Sequence, residues 1–113
     1  MEFHGTVSLD PVTSGAFWAA YKALGDNGVQ LAELRRDVAG QVVRALLERR
    51  GEMGMGYMLA IAQANSGQPH SRGARARESV VHCLLAGPSG QSGVPSYAVD
   101  AAVAAAARVL AEG

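Results

Sequence analysis

The chain has 113 residues, of which 49% are hydrophobic and 18% are charged, a size and composition typical of one small globular domain spanning residues 1–113. Ten Lys and Arg residues balance ten Asp and Glu residues, so no overall field favours binding to nucleic acid or to an anionic membrane. The single cysteine, Cys83, excludes an internal disulfide and a cysteine-based zinc site.

The first ten residues alternate between apolar and polar side chains. Phe3, Val7 and Leu9 share one side of this pattern, which predicts a short extended segment with one buried face. A lone strand leaves its backbone hydrogen bonds unmade, so a second copy of the chain could pair with it. We therefore predict dimer contacts at Phe3, Val7 and Leu9, with a loosely packed N-terminal arm as the alternative.

The same N-terminal residues lack the basic and apolar regions of a secretory signal. No stretch reaches the roughly 18 uninterrupted apolar residues of a membrane span. We therefore expect a cytoplasmic protein without membrane association.

A first helix is predicted to begin at Asp10-Pro11 or at Thr13-Ser14 and to end at Gly25. Its apolar stripe consists of Phe17, Ala20, Tyr21 and Leu24. Trp18 lies about 100° from that stripe, either at the edge of the core or exposed for a partner.

The stretch from Val29 to Arg50 predicts a long central helix, capped by Asp26 or Asn27 and ended by Gly51. Its apolar arc is roughly 220° wide, about twice what one neighbouring layer covers. The helix should therefore be covered on two sides, by its own domain and by a second molecule. The main stripe comprises Leu31, Leu34, Val38, Val42, Ala45 and Leu46, and the predicted solvent-facing strip comprises Glu33, Asp37, Gly40, Gln41, Arg44 and Glu48.

Three further helices complete the prediction. The segment from Met53 to Ala64 is apolar on nearly all sides and should form a buried helix. Residues 68–77 should form a loop that leads into a fourth helix, whose buried residues should be Val80, Val81, Leu84 and Leu85. A flexible linker at 87–96 should lead to a last helix from about Tyr97 to Ala111, capped by Ser96. The predicted fold is all-α, a small bundle of four to five helices around a long central helix, with a short extended N-terminal segment.

No catalytic, cofactor-binding or metal-binding residues are predicted. Gly51, Gly54 and Gly56 follow no strand and have the wrong spacing for a dinucleotide loop. The three histidines are scattered and make no metal motif. We therefore expect a protein that is not an enzyme.

Two other functions remain open. A DNA-binding regulator could use the arginine clusters Arg35-Arg36, Arg49-Arg50 and Arg72, Arg75 and Arg77. A small ligand-binding or enzymatic domain could use a pocket around Tyr57, His70 and Cys83.

The stretch from Ser14 to Gln63, SGAFWAAYKALGDNGVQLAELRRDVAGQVVRALLERRGEMGMGYMLAIAQ, resembles the quorum-sensing antiactivators of the QslA family. The resemblance implies a small helical homodimer that binds the ligand-binding domain of a LuxR-type transcription factor. Binding would block dimerisation of that receptor and hence its DNA binding, with no direct contact between this chain and nucleic acid. The resemblance assigns no role to individual residues.

A protein that blocks a partner's association surface needs an apolar patch of its own. The residues we predict to bind the partner are Trp18, Tyr21, Leu31, Leu34 and Val38. We place the helical part of the dimer contact further along the central helix, at Val42 and Leu46.

Overall fold

The computed structural model describes residues 10–64, 72–87 and 92–112, and within these ranges the chain forms five α-helices. They are α1 (Pro11–Asp26), α2 (Ala32–Met53), α3 (Met55–Gln63), α4 (Arg72–Leu85) and α5 (Ser96–Glu112). The predicted small all-α bundle is confirmed. The predicted extended segment, with Phe3, Val7 and Leu9, lies outside the described residues.

The C-terminal helix α5 packs against all four other helices. Most of its core side chains are Ala or Val, so neighbouring helices can approach closely; a Cβ atom added to Gly15 of α1 would lie 3.3 Å from Val109. The order of residues along this helix predicts an apolar stripe of Val99, Ala102, Val103, Ala106 and Leu110, which is confirmed and extended by two alanines. Its fully buried residues are Ala98, Val99, Ala102, Val103, Ala106, Ala107 and Leu110.

The long helix α2 also contacts the other four helices, but only its middle lies in the core. Its buried residues are Val38, Ala39, Gly40, Val42, Val43 and Leu46. Gly40 was expected to face solvent and is instead buried. At the other extreme, Leu31 and Ala32 belong to the predicted apolar arc and are exposed, because no helix of the described chain covers this end of α2.

Helix α1 begins at the earlier of its two predicted start signals. The Thr13 backbone N–H donates to Oδ1 of Asp10 at 2.7 Å, and Pro11 occupies the first turn. This hydrogen bond lowers the pKa of the Asp10 carboxyl, since a charged carboxylate is the better acceptor.

The end of α1 corrects two predictions. Gly28, with φ +96°, follows the helix in a left-handed conformation, and the N–H groups of Gly28 and Val29 donate to the Gly25 and Leu24 carbonyls at 3.2 and 3.0 Å. This is a Schellman motif, and the side chains of Val29 and Leu24 on either side of it are both buried. Gly25 therefore stays helical.

Residues 26–29 form the C-terminal end of α1 and its Schellman motif, so they cannot cap α2. Asp26 is the last residue of α1, and Asn27 is its C-cap. Helix α2 starts three residues later than predicted, with Leu31 at the N-cap position and no side-chain cap.

The junction between α2 and α3 lies at Gly54, where φ is +89°. Helix α2 continues through Gly51, which was expected to end it. Helix α3 is less buried than predicted: Met58 and Ile61 lie in the core, but Leu59 is 48% exposed.

Helix α4 starts at Arg72, so the segment predicted as a loop up to residue 77 is partly helical. Nη1 of Arg77 donates to the carbonyls of Ile61 and Ala64 at 3.4 and 3.0 Å, and its Nε lies 3.0 Å from Oδ1 of Asp100. Arg77 thereby ties α4 to the end of α3 and to α5.

The remaining predictions for this half of the chain are mostly confirmed. Val80, Val81 and Leu84 are buried and Leu85 is half-buried. At the end of the predicted linker, however, Val94 is 5% exposed and belongs to the core.

Gly73 marks the closest approach of α4 to α3, because a Cβ atom there would overlap the Ala60 carbonyl oxygen. We expect Gly73→Ala to lower the free energy of unfolding by about 1–3 kcal/mol, the usual cost of overpacking. The control is Gly51→Ala, where a Cβ meets nothing within 4 Å and should stabilise α2 by about 0.5–1 kcal/mol. Urea unfolding of both variants measures the difference, and equal values would contradict the close approach.

Candidate protein-binding surface

Trp18 stands on the surface of α1 with 53% of its side chain exposed. One edge of the indole packs on its neighbours: the ring centroids of Phe17 and Tyr21 lie 4.9 and 5.2 Å away in edge-to-face geometry. Phe17 is buried and Tyr21 half-buried, so the three rings form a step from core to solvent. Trp18 is therefore an aromatic side chain that is held in place and still open on one side.

Arg35 of α2 covers Tyr21 from the other direction. Its guanidinium carbon lies 4.1 Å from the centroid of the Tyr21 ring, a cation–π distance. Nε and Nη2 also donate to the Tyr21 carbonyl at 3.4 and 3.3 Å. A Cβ atom on Gly25, one turn after Tyr21, would overlap this guanidinium, so glycine provides the space in which Arg35 lies flat.

Leu31 at the N-cap position and Leu34 in the first turn are apolar residues of α2, the helix that carries Arg35. Leu31 is 70% exposed and Leu34 is half-buried, and together with Ala32 they line an open depression whose other lining residues are Glu33 and Asp37. At 100° per residue, Leu31, Leu34 and Arg35 lie within about 100° of one another around the helix. We call Trp18, Tyr21, Leu31 and Leu34, joined through Arg35, the Trp18–Leu31 surface.

Four of the five residues predicted to bind a partner thus belong to one surface, and the fifth does not. Val38 is 1% exposed, because the next turn of α2 already enters the core. It supports the surface from below and cannot contact a partner in this fold.

The helical dimer contacts predicted at Val42 and Leu46 need the same correction. Both side chains have 0% exposure in the single chain and belong to its own core. The apolar arc of α2 is wide because four helices of the same chain pack around its middle, so its width does not require a second molecule there.

The arginines considered for phosphate binding are partly engaged in internal contacts. Arg35 lies on Tyr21, Arg49 donates to the Ala45 carbonyl of its own helix, and Arg77 joins three helices. No described contact brings the clusters onto one face.

Tyr57 and Cys83, two of the three residues considered for a pocket, lie on α3 and α4. Cys83 is exposed and borders a depression between α2 and α4 that includes Arg44, Glu48 and Leu84 but not Tyr57. His70 lies outside the described residues. In the described ranges, no group of three His, Cys, Asp or Glu side chains is placed to hold a metal ion, and no helix there has the length and apolar character needed to cross a membrane.

Arg35 is the surface residue whose role the sequence pattern missed, since it was grouped with Arg36 as a phosphate ligand. The signal that could have found it is the pair Tyr21 and Gly25 at i,i+4, an aromatic ring beside a position without a side chain. What the pattern lacks is the distance between α1 and α2, which depends on the turn at 27–31.

Comparisons with known proteins assign no relative: no family profile, curated protein or solved structure matches the chain.

Arg35→Ala should lower the free energy of unfolding by about 1–2 kcal/mol, because the cation–π contact and the hydrogen bonds to the Tyr21 carbonyl are lost. Gly25→Ala should act in the same direction by displacing the guanidinium, although alanine has the better helix propensity. Arg36→Ala is the control, because Arg36 is exposed and should change stability by less than about 0.5 kcal/mol. Denaturant unfolding checks all three, and an Arg35→Ala variant as stable as Arg36→Ala would show that the contact contributes nothing.

Proposed function

We propose that this protein is a small regulatory interaction module that binds a protein partner stoichiometrically and without chemical turnover. Following the resemblance to QslA-type antiactivators, the partner we propose is the ligand-binding domain of a LuxR-type transcription factor in the cytoplasm. Occupying the association surface of that domain blocks its dimerisation and so depletes the DNA-binding form.

The observation that supports this proposal most directly is the exposed, supported indole of Trp18. Tryptophan and tyrosine are the side chains that most often dominate binding energy at protein interfaces. Here the indole is held by Phe17 and Tyr21, and Tyr21 is in turn held by Arg35. A side chain already fixed before binding loses little conformational entropy when a partner covers it.

The neighbouring leucines support the same conclusion. Single exposed apolar residues are common on protein surfaces, but a contiguous group is typical of an interaction site. Leu31, at 70% exposure, lies one turn before Arg35, which contacts Tyr21 beside Trp18. Covering both side chains would remove from water apolar area that the fold itself leaves exposed.

We expect Trp18→Ala to weaken partner binding by more than about 2 kcal/mol, roughly thirtyfold in Kd, while leaving the fold intact. Tyr97→Ala is the matched control, because Tyr97 is also an exposed aromatic residue, at 62%, but lies on α5. Titrating a purified LuxR-type ligand-binding domain against the three proteins by calorimetry gives both affinity and stoichiometry. Thermal unfolding of each variant separates lost binding from lost folding.

Inhibition of the receptor should be stoichiometric in the same titration. The amount of receptor that is inhibited should be comparable to the amount of this protein that is added. Complete inhibition by a small fraction of an equivalent, with the receptor chemically altered afterwards, would show that the protein is an enzyme. Equal binding of the receptor domain by the Trp18→Ala and Tyr97→Ala variants would exclude the Trp18–Leu31 surface as the binding site.

The proposed functional unit is a homodimer, as the resemblance implies. Val42 and Leu46 are buried. Among the side chains of α2 and α3 that the structure describes, the other large exposed apolar residues outside the Trp18–Leu31 surface are Met53 and Leu59, at 60% and 48% exposure. Sedimentation velocity at micromolar concentration should show a dimer. Leu59→Arg should dissociate it, because an unpaired charge in a dry contact costs several kcal/mol, whereas Leu31→Arg should not. A monomeric unmodified protein would overturn the proposal.

A further inference from the structure

The depression beside Leu31 is apolar at its base and acidic at its border. Leu31, Ala32 and Leu34 provide the apolar lining, while Glu33 and Asp37 lie one helical turn apart along one side. Both carboxylate-bearing residues are exposed.

Neither carboxylate has a basic partner within the described part of the chain. The ion pairs found there are Lys22 with Asp26 at 2.8 Å and Arg77 with Asp100 at 3.0 Å. Arg36 is adjacent in sequence, but helical geometry turns it about 160° away from Leu34, to the far side of Glu33. Around the helix, Glu33 and Asp37 lie about 160° from Arg35, whose guanidinium lies on Tyr21. The side of the depression that faces away from α1 therefore carries the negative charge.

The surface is formed by two packed helices. Trp18 and Tyr21 form an apolar row on α1, Leu31 and Leu34 form another on α2, and Arg35 joins the two helices through Tyr21. A third helix can pack across two such rows, placing its apolar residues against them and its polar residues beyond.

From the apolar rows and the unpaired carboxylates together, we infer that the segment bound by the Trp18–Leu31 surface is a positively charged amphipathic helix of the partner. Its apolar face contacts Trp18, Leu31 and Leu34, and lysine or arginine residues beside that face meet Glu33 and Asp37. This inference rests on the proposed function, which it extends by specifying the chemistry of the partner's binding segment.

A second copy of this chain fits the surface less well. A two-fold contact centred on the depression would bring Glu33 and Asp37 towards the same carboxylates of the other copy. Like charges in such a contact are unfavourable and select against that partner. The homodimer contact and the partner contact therefore use different faces.

The test uses the full chain and two designed amphipathic helical peptides that share a leucine face and differ in carrying lysine or glutamate beside it. Trp18 is the only tryptophan, so a shift of its fluorescence emission to shorter wavelength reports binding at this surface. The lysine peptide should bind and shift the emission, with an affinity that falls as salt is raised, and the glutamate peptide should bind far more weakly.

The double variant Glu33→Gln, Asp37→Asn should weaken binding of the lysine peptide by about fivefold to tenfold at low salt and remove most of the salt dependence. The matched control is Glu78→Gln, Glu112→Gln, which removes two other exposed carboxylates and should leave affinity unchanged. Equal binding of the two peptides, or an equal loss in the two double variants, would overturn the inference.

Repeating the comparison with the LuxR-type ligand-binding domain separates this inference from the proposed function. If the domain binds, but neither salt nor the Glu33→Gln, Asp37→Asn variant changes its affinity, the proposed function holds and the inference is wrong. If the domain fails to bind while the lysine peptide still binds through Glu33 and Asp37, the inference holds and the proposed partner is wrong.

Discussion

The close packing of α5 against the other helices is the constraint on which the rest of this structure depends. Six of the seven fully buried residues of α5 are Ala or Val, and a helix with such small side chains has a narrow cross-section. Neighbouring backbones can then approach closely, as Gly15 does beside Val109. The close approach of Gly73 to Ala60 extends this tight packing to the contact between α3 and α4. Dispersion contacts accumulate with such proximity, which allows a short chain with few large core residues to fold.

This packing also explains why part of the surface stays apolar. The core lies along α5, and α2 enters it only from Val38 onward. The Schellman turn at Gly28 ends α1 and brings Val29 into the core, but Leu31 then leaves it and begins α2 in solvent. Arg35 anchors the first turns of α2 to α1 through Tyr21, so the exposed Leu31 and the half-buried Leu34 lie on a fixed part of the helix.

A surface of this kind suits binding by occupation. The aromatic step from Phe17 to Trp18 exists in the single chain, and the adjacent carboxylates of Glu33 and Asp37 restrict which segments can cover the leucines. Apolar contact supplies affinity, and charge supplies selection and faster association.

Periodicity in the sequence was sufficient to predict the helical class, the buried stripe of α5 and the buried face of α4. The partner-binding role of Trp18, Tyr21, Leu31 and Leu34 stays a prediction. The confirmed features depend on the order of apolar residues along one helix, and the 100° step converts that order directly into faces. Other features depended on distances between helices, which the order of residues does not contain. Val38, Val42 and Leu46 share a stripe with Leu31 and Leu34, yet the packing of the other helices buries the first three and leaves Leu31 exposed. The same applies to Arg35. The sequence pattern predicts a surface cation beside Arg36, but the turn at 27–31 places the side chain of Arg35 on Tyr21. Local sequence thus determined which side chains share a face, and only the tertiary packing decided which parts of each face remain free to bind.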